Sequence, residues 1–178
     1  AARGDATRKN PHIFFKKTRL YAIMSMTVCA ACENKGATGR NEDMLVDCHM
    51  HSRFSFDAQP DTVQQIAEAS IERGLSTIAI TDHKDYFYHG KPPMELDVPG
   101  VLAEIDAVRA QYDGKIEVLK GIELGEIHAD PDAAALLEAY SFDTVIGSMH
   151  VMPNNVDFYD MDYDHLDQEQ LLRDYLME

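Results

Sequence analysis

The side chains of greatest chemical interest in this sequence lie at the ends of short apolar runs. Four such runs end in histidine or acidic residues, namely at Asp47-Cys48-His49-Met50-His51, Thr81-Asp82-His83, Gly121-Ile122-Glu123 and Gly147-Ser148-Met149-His150. Imidazole and carboxylate groups are the usual protein ligands of zinc, manganese and iron. One such ending could arise by chance, but four in a single stretch of chain indicate a metal-binding centre.

The first ending has the spacing of a ligand pair on a strand. Asp47, His49 and His51 alternate along the chain, so their side chains share one face if the strand extends that far. Two imidazoles on one face can bind a single cation, and Asp47 can orient one of them from behind as a hydrogen-bond acceptor. Alone, the pair also suits ordinary polar residues at a strand end; the other three endings favour metal ligands.

Carboxylates near these endings extend the candidate ligand set. Asp57 follows His51 by six residues, where a loop could return it to the site, although it could instead cap the following helix. Glu123 ends the third run, and a carboxylate there is well suited to bridging two cations. We expect the nearby Glu126 to be a solvated loop residue.

The second ending places a carboxylate and an imidazole at the end of an apolar strand. Asp82 and His83 can be buried only if their polar groups have partners. They could bind a cation, or they could pair with each other. The presence of the other three endings favours the cation. We expect His83 and His150 to bind the cation. We expect Asp82, like Asp47, to hold the ligands in place without binding the cation itself. The candidate substrate contacts in neighbouring loops are Lys84, His89 and His128.

Strands that alternate with helices are predicted to position these residues. Such alternation implies parallel strands with right-handed crossovers, and ligands then bind beyond the C-terminal ends of the strands, where all four endings lie. The predicted strands are Leu45–His49, Thr77–Thr81, Ile116–Lys120 and Thr144–Gly147. The predicted helices are Asp61–Arg73, Val101–Tyr112, Pro131–Tyr140 (with Asp130 as its cap) and Asp167–Met177.

Charge divides the chain into two parts. Residues 1–43 carry 8 basic and 4 acidic side chains, whereas residues 44–178 carry 8 basic and 27 acidic ones. So acidic a body would repel nucleic acid, and a phosphorylated ligand would bind only where cations reverse the local sign.

The first 43 residues show no sustained helical or strand periodicity. We expect them to form a poorly ordered extension ahead of a domain that begins at Met44. Their basic residues, short apolar run and cysteines also permit an export signal, in which case the protein would not be cytoplasmic as otherwise expected. No apolar run reaches the ~20 residues that a membrane-spanning helix needs.

From Met44 to Glu178 the sequence resembles the PHP family of metal-dependent phosphoesterases, and within it the histidinol-phosphatase branch. The resemblance implies an α/β fold, a distorted TIM-like (β/α)7 barrel, of which the first four units are present. We therefore expect the chain to be truncated at its C-terminal end or completed by a partner. The motifs that carry the resemblance are Asp47-x-His49-x-His51, Ser55-x-Asp57, Thr81-Asp82-His83, Gly121-Ile122-Glu123-Leu124-Gly125 and Val145-Ile146-Gly147-Ser148-x-His150.

The resemblance also implies a centre of two or three divalent cations, either zinc, manganese or iron. The family completes its ligand set from later strands, which have no counterpart before Glu178. The ligands implied are His49 and His51 for a first cation, Glu123 between the first and the second, His150 for the second, and Asp57 and His83 for the third.

The implied activity is hydrolysis of a small phosphomonoester, histidinol phosphate, in histidine biosynthesis, without nucleic acid or a membrane span. Cations would lower the pKa of the attacking water and neutralise the phosphoryl oxygens. One alternative is an amidohydrolase, which also begins with His-x-His but commonly bridges its metals through a later lysine or carboxylate. The other is a non-catalytic or polymerase-associated module of the same fold. Glu123 on the third strand favours the phosphoesterase.

Overall fold

Strands and helices alternate along most of the chain in the computed structural model, which describes residues 25–29, 45–86, 93–152, 156, 158 and 161–177. None of the helices in these ranges is long and apolar enough to cross a membrane. The strands are β1 (Ser25–Cys29), β2 (Leu45–Met50), β3 (Leu75–Ile80), β4 (His83–Asp85), β5 (Glu117–Gly125) and β6 (Thr144–Ser148). The helices are α1 (Val63–Glu72), α2 (Val98–Gln111), α3 (Ala133–Ala139) and α4 (Gln168–Met177).

The six strands form one sheet in the order β1-β6-β5-β3-β2, with β4 also paired to β5. Strands β2, β3, β5 and β6 are parallel neighbours, which confirms the topology predicted from their alternation with helices. β3 pairs with the first part of β5 and β4 with its last part. Two consecutive strands therefore run along the same side of β5, with Thr81 and Asp82 in the break between them. Closure of such a sheet into a barrel remains a prediction.

One strand is longer than predicted, and another was not predicted. β5 continues beyond Lys120 to Gly125, so Glu123 lies within a strand rather than after it. β4 falls in a stretch that the sequence indicated only as a loop. The added part of β5 alternates the buried apolar residues Ile122 and Leu124 with Glu123, a period-2 pattern that the prediction did not use. β4 is a short polar segment stabilised by pairing with β5, and hydrophobic periodicity carries no signal of such pairing.

Local hydrogen bonds set the starts of the helices. α1 begins after Thr62, whose side chain accepts from the backbone N–H of Gln65 while the Gln65 side chain accepts from that of Thr62, a reciprocal capping box. The expected cap of α3 was wrong: the N-cap position is Asp132, and Asp130 instead accepts a hydrogen bond from the backbone N–H of Asp132.

Part of the N-terminal extension belongs to the sheet. Residues Ser25–Cys29 form β1, which pairs with β6 in antiparallel register from Ser25 opposite Ser148 to Cys29 opposite Thr144. The sequence predicted no structural element in this region, because a single short strand paired with a distant one has no local signature. The remaining residues of the extension lie outside the described ranges.

The sheet buries its apolar side chains against the helices on one face. Ile78 and Ile80 of β3 and Val118 of β5 pack with Val63 of α1 and Ile105 of α2 in one core cluster. Because side chains alternate along a strand, the intervening residues of β5 lie on the opposite face. The second face carries buried apolar residues, such as Ile146, together with the polar residues at the strand ends.

Two valines of the sheet provide a matched test of this core. Val118 is 1% exposed and Val46, in β2, is 42% exposed. We expect Val118→Ala to lower the free energy of unfolding by about 2 kcal/mol, because it removes two buried methyl groups and leaves a cavity. Val46→Ala should cost about 0.5 kcal/mol or less. Denaturant unfolding followed by circular dichroism measures both, and equal losses would contradict the assignment of the core face.

Candidate metal centre

The strand register gathers the polar residues on the face of the sheet opposite the helices. His83 of β4 is paired with Glu123 of β5, and Asp85 with Gly125, which in turn is paired with Ser148 of β6. Directly paired residues project to the same side of a sheet. Three neighbouring strands thus present an imidazole, two carboxylates and a hydroxyl to one small region.

Glu123 is the buried centre of the cluster. Its Oε2 lies 2.7 Å from Nε2 of His49 and 3.0 Å from Nε2 of His51. Its Oε1 lies 3.0 Å from Nε2 of His150 and accepts a hydrogen bond from the Ser148 hydroxyl at 2.6 Å. Each carboxylate oxygen therefore faces a different set of histidines, which is the arrangement of a bridging ligand.

The loop after β2 brings Asp57 back to the cluster. An oxygen of Asp57 lies 3.1 Å from Nδ1 of His51 and 3.5 Å from Nε2 of His83. The Ser55 hydroxyl donates to Asp57 at 2.7 Å and accepts from the backbone N–H of His83 at 3.2 Å. The alternative role of Asp57 as a helix cap is taken by Thr62, so the carboxylate is available to the centre.

Asp82 and Asp47 contact the backbone that carries the histidines. The buried carboxylate of Asp82 accepts two hydrogen bonds from Ser52, from the backbone N–H at 2.5 Å and from the hydroxyl at 2.7 Å. Burial raises the pKa of Asp82 and these hydrogen bonds oppose the rise. Asp47 accepts from the backbone N–H of His49 at 3.1 Å, so its carboxylate acts on the main chain rather than on the imidazole.

Glu126 corrects one prediction, because it is buried rather than solvated. The chain turns sharply at this residue, with φ of 52°, and its Oε1 accepts from the backbone N–H groups of His150 at 2.5 Å and Val151 at 3.0 Å. Its Oε2 has no hydrogen-bond partner among the described residues. Burial raises the pKa of Glu126 to about 7 despite the two N–H donors.

Asp85 is a member of the cluster that sequence reasoning missed. It is fully buried, and its two oxygens lie 3.1 Å from Nδ1 of His83 and 2.9 Å from Nδ1 of His150. The spacing His83-x-Asp85 repeats the alternation that singled out the first histidine pair, and a strand at this position would have indicated it.

The three proposed substrate contacts have different positions. Lys84 projects to the opposite face from His83 and Asp85, and its ammonium group lies 2.8 Å from the buried carboxylate of Asp130, which argues against a phosphate contact. His128 is exposed on the turn after β5. His89 lies outside the described residues.

The electrostatics of the cluster are those of closely paired opposite charges. Burial alone would lower the pKa values of His51 and His150. Hydrogen bonds to Asp57 and Glu123 instead raise the pKa of His51 to about 9. Hydrogen bonds to Asp85 and Glu123 raise the pKa of His150 to about 10. Burial would raise the pKa of Glu123, yet the histidines hold it well below its usual range. Protons and cations would therefore compete for the same atoms.

The donor spacing suits cations better than protons. The Nε2 atoms of His49 and His51 lie 3.0 Å apart, and both face the same oxygen of Glu123. Two N–H groups pointed at one oxygen would repel each other at this separation, whereas one cation can bind all three atoms. Neighbouring ligands of a cation bound at ~2.1 Å lie about 3 Å apart in octahedral geometry.

Among the described residues, four groups could each hold an ion, with the ligand atoms of each group within 4.8 Å of one another, and three of these groups contain predicted ligands alone. Shared members join these three groups into one cluster, which brings together the six predicted ligands; their role as ligands stays a prediction. The three groups are His49, His51 and Glu123; His51, Asp57 and His83; and His83, Glu123 and His150.

A parallel α/β sheet with this cluster of candidate metal ligands at its strand ends is the combination that the resemblance to the PHP family implies. The PHP domain family matches residues 47–178, and the chain belongs to this family.

Within the family, the chain is similar to histidinol-phosphatases and to a DNA polymerase. The chain is 30% identical over 135 residues to histidinol-phosphatase of Lactococcus lactis, covering 74% of this chain and 49% of the relative. It is 31% identical over 140 residues to a probable histidinol-phosphatase of Deinococcus radiodurans, with 74% and 53% covered. It is 33% identical over 109 residues to the DNA polymerase/3'-5' exonuclease PolX of Bacillus subtilis, with 58% and 18% covered.

The chain is also similar in structure to a solved histidinol phosphate phosphatase. The crystal structure of histidinol phosphate phosphatase from Lactococcus lactis, complexed with zinc, L-histidinol and phosphate, aligns with a TM-score of 0.63 and 29% identity. The alignment covers 75% of this chain and 51% of that one. The chain thus spans about half the length of the histidinol-phosphatases that it matches.

Removal of one shared histidine should weaken the centre. His51 faces both Asp57 and Glu123, so His51→Ala removes a donor from two of the three groups. We expect zinc affinity to fall at least about tenfold, because removal of a residue that only hydrogen-bonds to a metal ligand already lowers metal affinity about 10- to 100-fold. Competition with a chromophoric chelator measures the affinity. His165→Ala, which removes a highly exposed histidine, is the control, and equal affinities for both variants would exclude His51 from the centre.

Proposed function

We propose that this chain carries the metal centre of a phosphomonoesterase that releases phosphate from L-histidinol phosphate, as a histidinol-phosphatase of histidine biosynthesis. The observation that carries the proposal is Glu123, whose two oxygens face separate sets of histidines at the ends of parallel strands. The similarity to two histidinol-phosphatases, and to a structure that contains L-histidinol and phosphate, supports this choice of substrate.

We further propose that two or three divalent cations, either zinc, manganese or iron, occupy the centre. When bound, such ions would polarise a phosphoryl oxygen and lower the pKa of a water molecule. The residues that would hold them are His49, His51, Asp57, His83, Glu123 and His150.

The charges around the site explain why a phosphate ester would need these ions. Residues 44–178 carry a large excess of acidic side chains, and Lys84 is paired with Asp130 on the other face of β4. A phosphate dianion would be repelled by the carboxylates of the cluster unless bound cations reversed the local sign. The acidity of the protein and the chemistry of its proposed substrate are therefore compatible only through the metal centre.

Exposure gives the centre a deep side and an open side. Glu123, His83 and His150 are buried, whereas the side chains of His49 and Asp57 are 30% and 41% exposed. We propose that substrate enters from the side of His49 and Asp57. His128, exposed on the turn after β5, and His89 remain proposed substrate contacts.

Two other functions use the same fold. An amidohydrolase would cleave a C–N bond and release ammonia or an amine instead of phosphate. A polymerase-associated module is suggested by the similarity to PolX, but the match covers 58% of this chain, compared with 74% for the histidinol-phosphatases. The acidic body also disfavours contact with DNA.

Phosphate release from L-histidinol phosphate tests the proposal directly. We expect the full chain to release inorganic phosphate when it is loaded with zinc or manganese, and to lose this activity when a chelator removes the metal. His49→Ala should lower the rate at least about a hundredfold, because it removes a ligand from the open side of the centre. A colorimetric phosphate assay follows the reaction.

The exposed-histidine variant His165→Ala should retain the wild-type rate. Hydrolysis that persists in a thoroughly metal-stripped sample would refute the mechanism. Ammonia release from cyclic amides without phosphate release would identify the amidohydrolase instead.

A further inference from the structure

We propose that Asp85 is a positioning residue of the metal centre, whose single carboxylate orients the imidazoles of both His83 and His150 so that their Nε2 atoms face Glu123. The proposal rests on the proposed function, because it assumes that these two histidines bind cations through Nε2. It adds a residue that contacts no substrate and acts only through the ligands.

The contacts of Asp85 determine which nitrogen of each ring carries hydrogen. Its oxygens lie 3.1 Å from Nδ1 of His83 and 2.9 Å from Nδ1 of His150. An ionised carboxylate only accepts hydrogen bonds, so each Nδ1 must carry the hydrogen. In the neutral ring this leaves the lone pair on Nε2, which is the atom that a cation would bind.

The opposite nitrogens point to the centre, as this assignment requires. Nε2 of His150 lies 3.0 Å from one oxygen of Glu123, and Nε2 of His83 lies 3.5 Å from the other. The two rings come from different parts of the sheet, His83 from β4 and His150 from the segment after β6. One buried carboxylate therefore sets the direction of ligands that the backbone holds independently.

Gly125 supplies an independent observation for this role. It is paired with Asp85 across β4 and β5, and a Cβ atom at this position would overlap Oδ1 of Asp85 and lie 2.5 Å from its Cγ and 2.8 Å from Nδ1 of His150. The carboxylate thus occupies the space that a side chain on β5 would fill, and reaches across that strand to His150. Any larger residue at position 125 must displace the contact.

A different role for Asp85 is direct coordination of a cation together with Glu126 and His150, whose ligand atoms also lie near one another. In the structure, however, each oxygen of Asp85 faces an imidazole nitrogen, so Oε2 of Glu126 is the carboxylate oxygen of this group that has no partner among the described residues. His150 would also have to bind this cation through Nδ1, the nitrogen that faces Asp85. The contacts favour positioning over coordination.

The test compares four variants of the full chain loaded with zinc. Asp85→Asn preserves the shape but leaves one oxygen acceptor for two Nδ1–H groups, and Gly125→Ala displaces an intact Asp85. The controls are Asp130→Asn, a buried carboxylate that pairs with Lys84, and Gly147→Ala, whose added Cβ would lie 3.3 Å from Ile127 and near no other side chain among the described ones. Far-UV circular dichroism checks that each variant is folded.

Two measurements report on positioning rather than on activity. Zinc affinity should fall 10- to 100-fold in Asp85→Asn and Gly125→Ala and stay unchanged in both controls. In ¹⁵N-histidine NMR of the zinc-loaded wild type, the Nδ1–H groups of His83 and His150 should give slowly exchanging signals, assigned by their loss in His83→Gln and His150→Gln. At least one of these signals should disappear in Asp85→Asn.

The outcomes separate this proposal from the proposed function. If the wild type binds zinc and Asp85→Asn keeps both its affinity and the two signals, Asp85 has no positioning role although the metal centre stands. Absence of a His150 Nδ1–H signal in the loaded wild type would overturn the proposal in favour of coordination by Asp85. If the wild type binds no zinc, both proposals fail. Should Asp85→Asn be unfolded, the affinity and signals of Gly125→Ala decide.

Discussion

An ionised carboxylate buried in the protein must be matched by positive charge, and the structure around Glu123 is organised by this requirement. Glu123 obtains its partners from separate segments: His49 and His51 at the end of β2, His83 in β4 and His150 after β6. Four histidines around one carboxylate leave little room for the pairing to be incidental. The same donor set that satisfies the carboxylate is the one that would bind cations.

The sheet brings these segments together because neighbouring residues of each strand point to opposite faces. Ile122 and Leu124 pack into the apolar core while Glu123, between them, lies on the opposite side. Helices α1 and α2 pack on the apolar face of β3 and β5 and hold these strands in place. Loops then need to contribute only short extensions, such as the one that ends at Asp57.

Three further buried carboxylates lie around the candidate metal ligands, and they contact the imidazole rings of these ligands or the residues and backbone next to them. Asp82 binds Ser52 next to His51, Glu126 binds the backbone of His150, and Asp85 contacts two imidazoles. These groups add to the negative charge of a protein that is already acidic. A centre of this kind favours multivalent cations, while the acidic surface around it repels polyanions.

The sequence by itself determined the residue types at the strand ends, the parallel α/β topology and the family, because these depend on local periodicity and on motifs within single segments. It could not determine β4 or the place of β1, since pairing between distant strands leaves no local pattern. Nor could it show that Glu126 is buried, that Lys84 is bound to Asp130, or that Asp85 faces two histidines. Only the register between strands decides which side chains become neighbours, and that register belongs to the tertiary structure.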